Sequence, residues 1–174
     1  FDTIPHDKLL QALQFYCKEK WVGLYVSRWL KAGIENEDGS LTQPQSGTPQ
    51  GGVISPLLSN LYLHVVFDGW MQQHYPGIRF ERYADDIIIH ARREQIAQSI
   101  LNKLQNRFTE CGLTIHPTKT QIVCLTRDAS TKDVTKVHSF EMGGFVFTPQ
   151  WVKEAGDWKL MILPSPSPSA KKSI

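Results

Sequence analysis

The stretch Tyr83-Ala84-Asp85-Asp86-Ile87-Ile88-Ile89-His90 sets two adjacent carboxylates between strand-like sequence on both sides. Arg79-Phe80-Glu81-Arg82-Tyr83 precedes the pair, and Ile87-Ile88-Ile89-His90 follows it. Aromatic and β-branched runs around a short polar turn read as a β-hairpin. Asp-Asp after Ala also marks ordinary turns, because Asp hydrogen-bonds its own backbone and tolerates tight conformations. A hairpin tip, however, holds side chains on a rigid sheet. Adjacent like charges disfavour each other's ionised form, and a bound divalent cation removes that penalty. The pair therefore asks for a hard metal with oxygen ligands at the tip of a hairpin.

The chain has 174 residues, 41% hydrophobic and 21% charged, enough for one domain with a real core. Its net charge of +2 leans basic too weakly to name a nucleic-acid partner. Cys17, Cys111 and Cys124 are an odd number and far apart, which suggests neither a disulfide framework nor a zinc site. Reduced structural thiols in a cytoplasmic protein, bacterial or organellar, are expected. No signal peptide opens the chain and no apolar run is long enough to span a membrane. The start at Phe1 without Met and the end at Lys171-Lys172-Ser173-Ile174 read as a piece of something longer.

Helical spacing of apolar residues predicts helices over Asp7–Cys17, Lys20–Ala32 and Arg93–Cys111, the last with Ile96, Ile100, Leu101, Leu104 and Phe108 on one face. Gly112 should stop that helix. Pro56 should start a long helix running to about His74. Glu35–Ser40 reads as a polar turn and Leu41–Gly52 as a loop. Leu113–His116, Gln121–Leu125 and Trp158–Leu163 read as strands, and Ser139–Phe147 as strand, Gly-Gly turn, strand. Arg127–Lys136 should be loop, and Pro164-Ser165-Pro166-Ser167-Pro168-Ser169 should break structure and lead into a basic tail. The order predicts an α+β fold, with helices packed on one face of an antiparallel sheet.

Ser46-Gly47-Thr48-Pro49-Gln50-Gly51-Gly52 is the second informative stretch. It reads as a Gly/Pro turn before a helix. It also reads as backbone that can approach a ligand closely, with helix N-terminal amides beyond it to favour anions. Three stretches in order closely resemble the palm of reverse transcriptases encoded by group II introns. They are Gly47-Thr48-Pro49-Gln50-Gly51-Gly52-Val53-Ile54-Ser55-Pro56-Leu57-Leu58-Ser59-Asn60-Leu61-Tyr62-Leu63, then Tyr83-Ala84-Asp85-Asp86, then Gly112-Leu113-Thr114-Ile115-His116-Pro117-Thr118-Lys119-Thr120. Phe1–Leu10 resembles the end of that family's first carboxylate motif, and Phe140–Phe147 its primer-grip hairpin.

The resemblance implies a reverse-transcriptase palm over residues 1–163 and the truncated start of a thumb over 164–174. It implies an RNA-directed DNA polymerase, a nucleotidyltransferase that uses Mg2+. Expected partners are an RNA template, a DNA primer, deoxynucleoside triphosphates and intron RNA, with splicing and mobility roles in a full protein. Asp85 would be the stronger metal ligand and Asp86 a second ligand or support. Lys119 would contact or protonate the departing pyrophosphate. Phe1 would stack under the sugar and exclude a 2′ hydroxyl. Gln50 and Gly51 would line the nucleotide and template side, and Met142, Gly143 and Gly144 would form the primer grip. The family usually shows Phe-Leu-Gly where this chain has Met142-Gly143-Gly144, and commonly Asn where this chain has His116; His116 reads as structural. The family's first catalytic aspartate aligns before Phe1, and Asp2 is expected instead to tie the following loop to the helix start. These 174 residues alone are therefore expected not to polymerise. A non-catalytic RNA-binding maturase and a reverse transcriptase of another bacterial lineage, retron or diversity-generating, are the alternatives; the aspartate pair argues against the first. A palm-like nucleotide cyclase would need a Gly-Gly-Asp/Glu-Glu-Phe hairpin, which the chain lacks.

Overall fold

Leu9, Ala12 and Leu13 are spaced to share one side of a helix, and α1 (His6–Tyr16) buries all three. The computed structural model describes residues 2–35, 38–48, 52–124, 139–154 and 156–168. They fall into two units, one built from Phe1–His90 with Ser99–Ile115 and the other from Ala91–Gln98 with His116–Ile174. The architecture is α+β, as expected.

In the first unit, α2 (Lys20–Leu30) buries Val26 and Leu30. The helical spacing of this segment in the sequence is carried by Trp21, Leu24, Tyr25, Arg28 and Trp29, three of them aromatic. The three aromatics stand outward, Trp21 at 64% exposure, in a row of ring neighbours 6.3 and 6.1 Å apart. Four-residue spacing defines two faces of such a helix, and the aliphatic one is buried. The expected turn at Glu35–Ser40 begins inside a strand: Glu35 belongs to β1 (Ile34–Glu35), which pairs antiparallel with β2 (Leu41–Thr42), while residues 36 and 37 lie outside the described residues.

The long helix expected from Pro56 is present with an interruption. α3 (Ser55–Leu63) opens with Pro in its first turn, passes into a π-helical segment His64–Asp68, and resumes as α4 (Gly69–His74). The amide of Gly69 donates to the His64 carbonyl across the wide turn. Tyr62 on α3 is buried, and its hydroxyl donates to the Cys111 carbonyl at 2.6 Å. Burial pushes that phenol up to about 12.

β3 (Phe80–Tyr83) and β4 (Asp86–Ile89) form the expected hairpin, pairing Phe80 with Ile89 and Arg82 with Ile87 on one face. Phe80, Ile87 and Ile89 pack against the core formed by the helices. α5 (Glu94–Glu110) contributes Ile100, Leu104 and Phe108 to that core, while Ile96 stays exposed. Phe67 is fully buried among these elements, with its ring 5.0 Å from Phe80 and 6.4 Å from Phe108, both edge-on.

α5 ends in a Schellman motif. The Leu113 amide donates to the Phe108 carbonyl at 2.8 Å and the Gly112 amide to Thr109 at 3.1 Å, with Gly112 at φ 72°. A Cβ on Gly112 would lie 2.5 Å from Pro5 Cγ. Gly112→Ala is therefore expected to cost about 2–4 kcal/mol, from left-handed backbone strain plus overpacking against a rigid ring. Urea unfolding measures it; a loss under ~0.5 kcal/mol would show that the Pro5 segment yields freely.

Leu113–His116, expected as a strand, is irregular chain with Leu113 buried, and Gln121–Cys124 holds only a single bridge residue, Val123. Among the described residues no strand pairs along 113–116, so its apolar residues reach the core without a ladder. Leu125 and the expected loop Arg127–Lys136 lie outside the described residues.

The second unit holds β5 (Phe140–Met142), β6 (Phe145–Glu154) and β7 (Asp157–Pro166) in one antiparallel sheet, order β5-β6-β7. The described strands thus form three separate antiparallel sheets. Phe140 and Phe147 pair across β5 and β6 and stack, centroids 4.9 Å apart. Pro164-Ser165-Pro166 does not break structure: it pairs with Phe147-Val146-Phe145. The register explains why. The Ser167 amide donates to the Gly144 carbonyl at 2.9 Å, so even-numbered β6 positions form the hydrogen-bonded pairs. Pro149, Pro164 and Pro166 all fall in the other class of pair, where no donor is required between β6 and β7.

Candidate nucleotidyl-transfer site

Pairing of Tyr83 with Asp86 leaves a two-residue connection, Ala84-Asp85, at the tip of the β3–β4 hairpin. Two-residue hairpins use turns with positive φ, because only these match the strands' twist. Ala84 supplies it at φ 53°, the one non-glycine residue with positive φ among those described. For an L-residue with a Cβ this costs about 1–2 kcal/mol. Such strain persists where surrounding structure over-determines it.

That surrounding structure is Arg82. Its Nε and Nη2 donate to Asp68 Oδ1 and Oδ2 at 2.8 and 2.7 Å, a bidentate pair. Its Nη1 donates to Asn60 Oδ1 at 2.8 Å and to the Ala84 carbonyl at 3.0 Å. Asn60 in turn donates through Nδ2 to the Pro56 carbonyl at 3.0 Å. His64 Nδ1 lies 2.9 Å from Asp68 Oδ2. The Arg82 and Asp68 side chains are only 12% and 14% exposed. Burial pushes the Asp68 carboxyl up, but hydrogen bonds from Arg82 and His64 outweigh it and hold the group below the ordinary carboxylate range. The Asp68 hydrogen bond likewise raises the Arg82 guanidinium above its usual value. Both groups are thus charged at neutral pH.

Asp85 and Asp86 are exposed at the turn and at the start of β4. Asp86 belongs to the strand face that also carries Tyr83, itself 70% exposed, opposite the face that packs on the helices. Two hard carboxylates thus stand side by side at the open tip of a braced hairpin. Among the described residues no group of three or more His, Cys, Asp or Glu is placed to hold a metal ion.

The Ser46–Gly52 stretch is described in part. Gly47, at φ 80°, sits where a Cβ would come within 2.7 Å of the Asp2 carbonyl oxygen. Its amide donates to Ile4 at 2.8 Å, His6 Nε2 lies 2.8 Å from its carbonyl, and the Ser46 hydroxyl donates to the Asp2 carbonyl at 3.0 Å. The segment around Asp2 is thereby tied to this loop through its backbone. The Thr48 hydroxyl, 3.4 Å from that of Ser59, links the loop to α3 below the surface. Phe1, Gln50 and Gly51 lie outside the described residues.

In the second unit, Lys119 is exposed at the end of the turn Pro117–Lys119. His116 Nδ1 caps that turn, accepting from the Thr118 and Lys119 amides, each at 3.4 Å, in keeping with a structural role. Met142 ends β5, and Gly143 and Gly144, at φ 58° and 80°, make the two-residue turn into β6. The additional glycine thus occupies the turn and leaves the strands intact.

Sequence reasoning passed over Arg82, Asp68 and Asn60. The signal was present: Arg82 alternates with Phe80 onto the buried face of a strand, where an arginine demands a carboxylate. Asn60, His64 and Asp68 follow at four-residue intervals in the preceding helix.

A family profile described as "Reverse transcriptase (RNA-dependent DNA polymerase)" matches residues 1–148. The COX1/OXI3 intron 1 protein of Saccharomyces cerevisiae is 27% identical over an alignment covering 72% of this chain and 21% of that protein. Group II intron-encoded protein LtrA of Lactococcus lactis subsp. cremoris is 41% identical over 64 residues, 37% of this chain and 10% of its own length. Protein YkfC of Escherichia coli is 36% identical over 75 residues, 43% of this chain and 19% of its own. The chain spans about a fifth or less of the length of these relatives. No helix among the described residues is long and apolar enough to cross a membrane. With its profile match running through the loop, the carboxylate hairpin and the β5–β6 hairpin, the chain belongs to the reverse transcriptase family.

Proposed function

We propose that residues 1–163 are the palm of a group II intron-type RNA-directed DNA polymerase, with 164–174 opening a thumb, and that Asp85 and Asp86 hold its Mg2+. The observation that carries this reading is the placement of both carboxylates at the exposed tip of a hairpin whose other face is anchored on helices. The donor set suits the ion: hard carboxylate oxygens holding a cation that keeps several waters. When bound, Mg2+ in such sites activates the attacking hydroxyl and neutralises developing phosphate charge.

The chain's own residues do the rest. Asp85 and Asp86 fix where the cation, and hence the triphosphate, can sit. Lys119 contacts or protonates the departing pyrophosphate. Phe1 stacks under the incoming sugar and leaves no room for a 2′ hydroxyl, while Gln50 and Gly51 line the nucleotide and template side. Met142-Gly143-Gly144 grips the primer. The partners are an RNA template, a DNA primer, deoxynucleoside triphosphates and an intron RNA. The intron lineage is favoured over other bacterial lineages by the likeness to the Lactococcus relative, a group II intron-encoded protein.

The test is primer extension by the natural protein that carries these residues, on an RNA template. DNA synthesis should require Mg2+, stop on chelation and resume on adding Mg2+ back. A protein that binds intron RNA and yields no template-directed product under these conditions would support the non-catalytic maturase reading instead.

A further inference from the structure

We infer that Arg82 is a positioning residue for the carboxylate turn, and that Asp68 and Asn60 serve it by holding its guanidinium in place. The Ala84 carbonyl belongs to the same rigid amide unit as the Asp85 nitrogen, and that unit allows almost no internal rotation. Fixing the direction of the Ala84 carbonyl therefore fixes the entry of the chain into Asp85. Arg82 Nη1 donates to that carbonyl at 3.0 Å.

The guanidinium cannot follow the turn if the turn drifts. Four of its five donors have partners, and three of those partner bonds end on the helical run, two on Asp68 and one on Asn60. Asp68 sits at the last position of the π-helical segment, and Asn60 two turns earlier on α3. A planar fork with fixed donor directions transmits that anchorage as orientation, which a lysine's single ammonium does not. The left-handed Ala84 has no glycine's freedom to adopt its conformation unaided. The hydrogen bond from Arg82 is the hold that keeps it there. Arg82 thus acts on chemistry only through Asp85, by keeping a metal ligand where a small displacement would be expensive.

The activity part of this inference rests on the polymerase reading, so the test has two independent arms, both on the natural protein. The first is hydrogen exchange over residues 79–90. Arg82→Lys should speed exchange at the turn about tenfold while the core helices keep their protection, and Asn60→Ala, which leaves the ion pair intact, should do the same to a smaller degree. The second is primer extension. Arg82→Lys should lower kcat by about 10- to 100-fold, in line with an ångström-scale misplacement. It should also raise the Mg2+ concentration needed for half-maximal rate, with KM for template–primer changed less than about twofold. Unchanged exchange at 79–90 in both variants overturns the inference whatever the activity. Faster exchange with unchanged kcat and Mg2+ dependence overturns its link to Asp85. A natural protein that makes no DNA in any form refutes the polymerase reading alone, and the exchange arm still decides whether Arg82 holds the turn.

Discussion

Asp85→Ala in the natural protein is expected to lower Mg2+-dependent DNA synthesis by at least ~10²- to 10³-fold while RNA affinity stays within about twofold. Phosphoryl transfer offers the protein little covalent chemistry, so the rate depends on positioned charge. On the proposed reading, Asp85→Ala removes one of the two carboxylates that hold the ion, and among the described residues no group of three or more His, Cys, Asp or Glu is placed to hold it instead. RNA affinity has a different origin, many phosphate contacts spread over a surface, and loses little with one acidic side chain. Asp85 is exposed and its strand neighbours bury the hairpin's other face, so the variant should melt like the parent. Primer extension and filter binding on the same preparation make the comparison. Extension near the parent level would show that Asp85 does not hold the metal; a parallel collapse of binding and melting would show instead that the residue is structural.

The second large effect is on stability. Phe67→Ala is expected to cost about 3–5 kcal/mol. Phe67 is fully buried in the π-helical segment of the helical run, and its ring meets Phe80 of β3 and Phe108 of α5 edge-on. Truncation opens a cavity where three elements converge, and close-packed surroundings collapse into it only partly. Against a typical total of about 5–15 kcal/mol, such a loss leaves a marginal protein. Phe67→Leu, which retains most of the volume, should cost appreciably less. Chemical denaturation of the two variants gives the difference. A loss below ~1 kcal/mol for alanine would show that the elements meeting at this ring are held together by something else.

The hairpin, the helices and the β5–β6 turn were legible because each is a local pattern. Alternation at Phe80–Tyr83, four-residue spacing through Ile100, Leu104 and Phe108, and a Gly-Gly pair between aromatic runs each need only a few residues of context. What was illegible depends on partners distant in the chain. The π-helical turn at His64–Asp68 leaves no mark on composition. On α2 the aromatics carry more apolar surface than valine or leucine, yet Val26 and Leu30 are the residues the fold covers. Pro164 and Pro166 look like breakers until the register with Val146 is known. At the candidate site the two aspartates announced themselves, while the arginine behind them gained meaning only when Asp68, fourteen positions earlier, was seen in its grip.

The prolines of β7 have a consequence on the side facing away from β6. In pairs that lack hydrogen bonds between the two strands, backbone groups point outward, toward whatever lies beyond the sheet. Pro164 and Pro166 occupy two successive positions of that kind, and neither carries an N–H. β7 is one of the two outer strands of the described sheet, and an outer strand with a full row of free donors is a template on which foreign chains can add. Over its last turn of register, β7 presents a row with its donors removed. A stray strand from another molecule would find carbonyls there and no amides, so among the described residues β7 offers a full set of donors for pairing only along Asp157–Ile162.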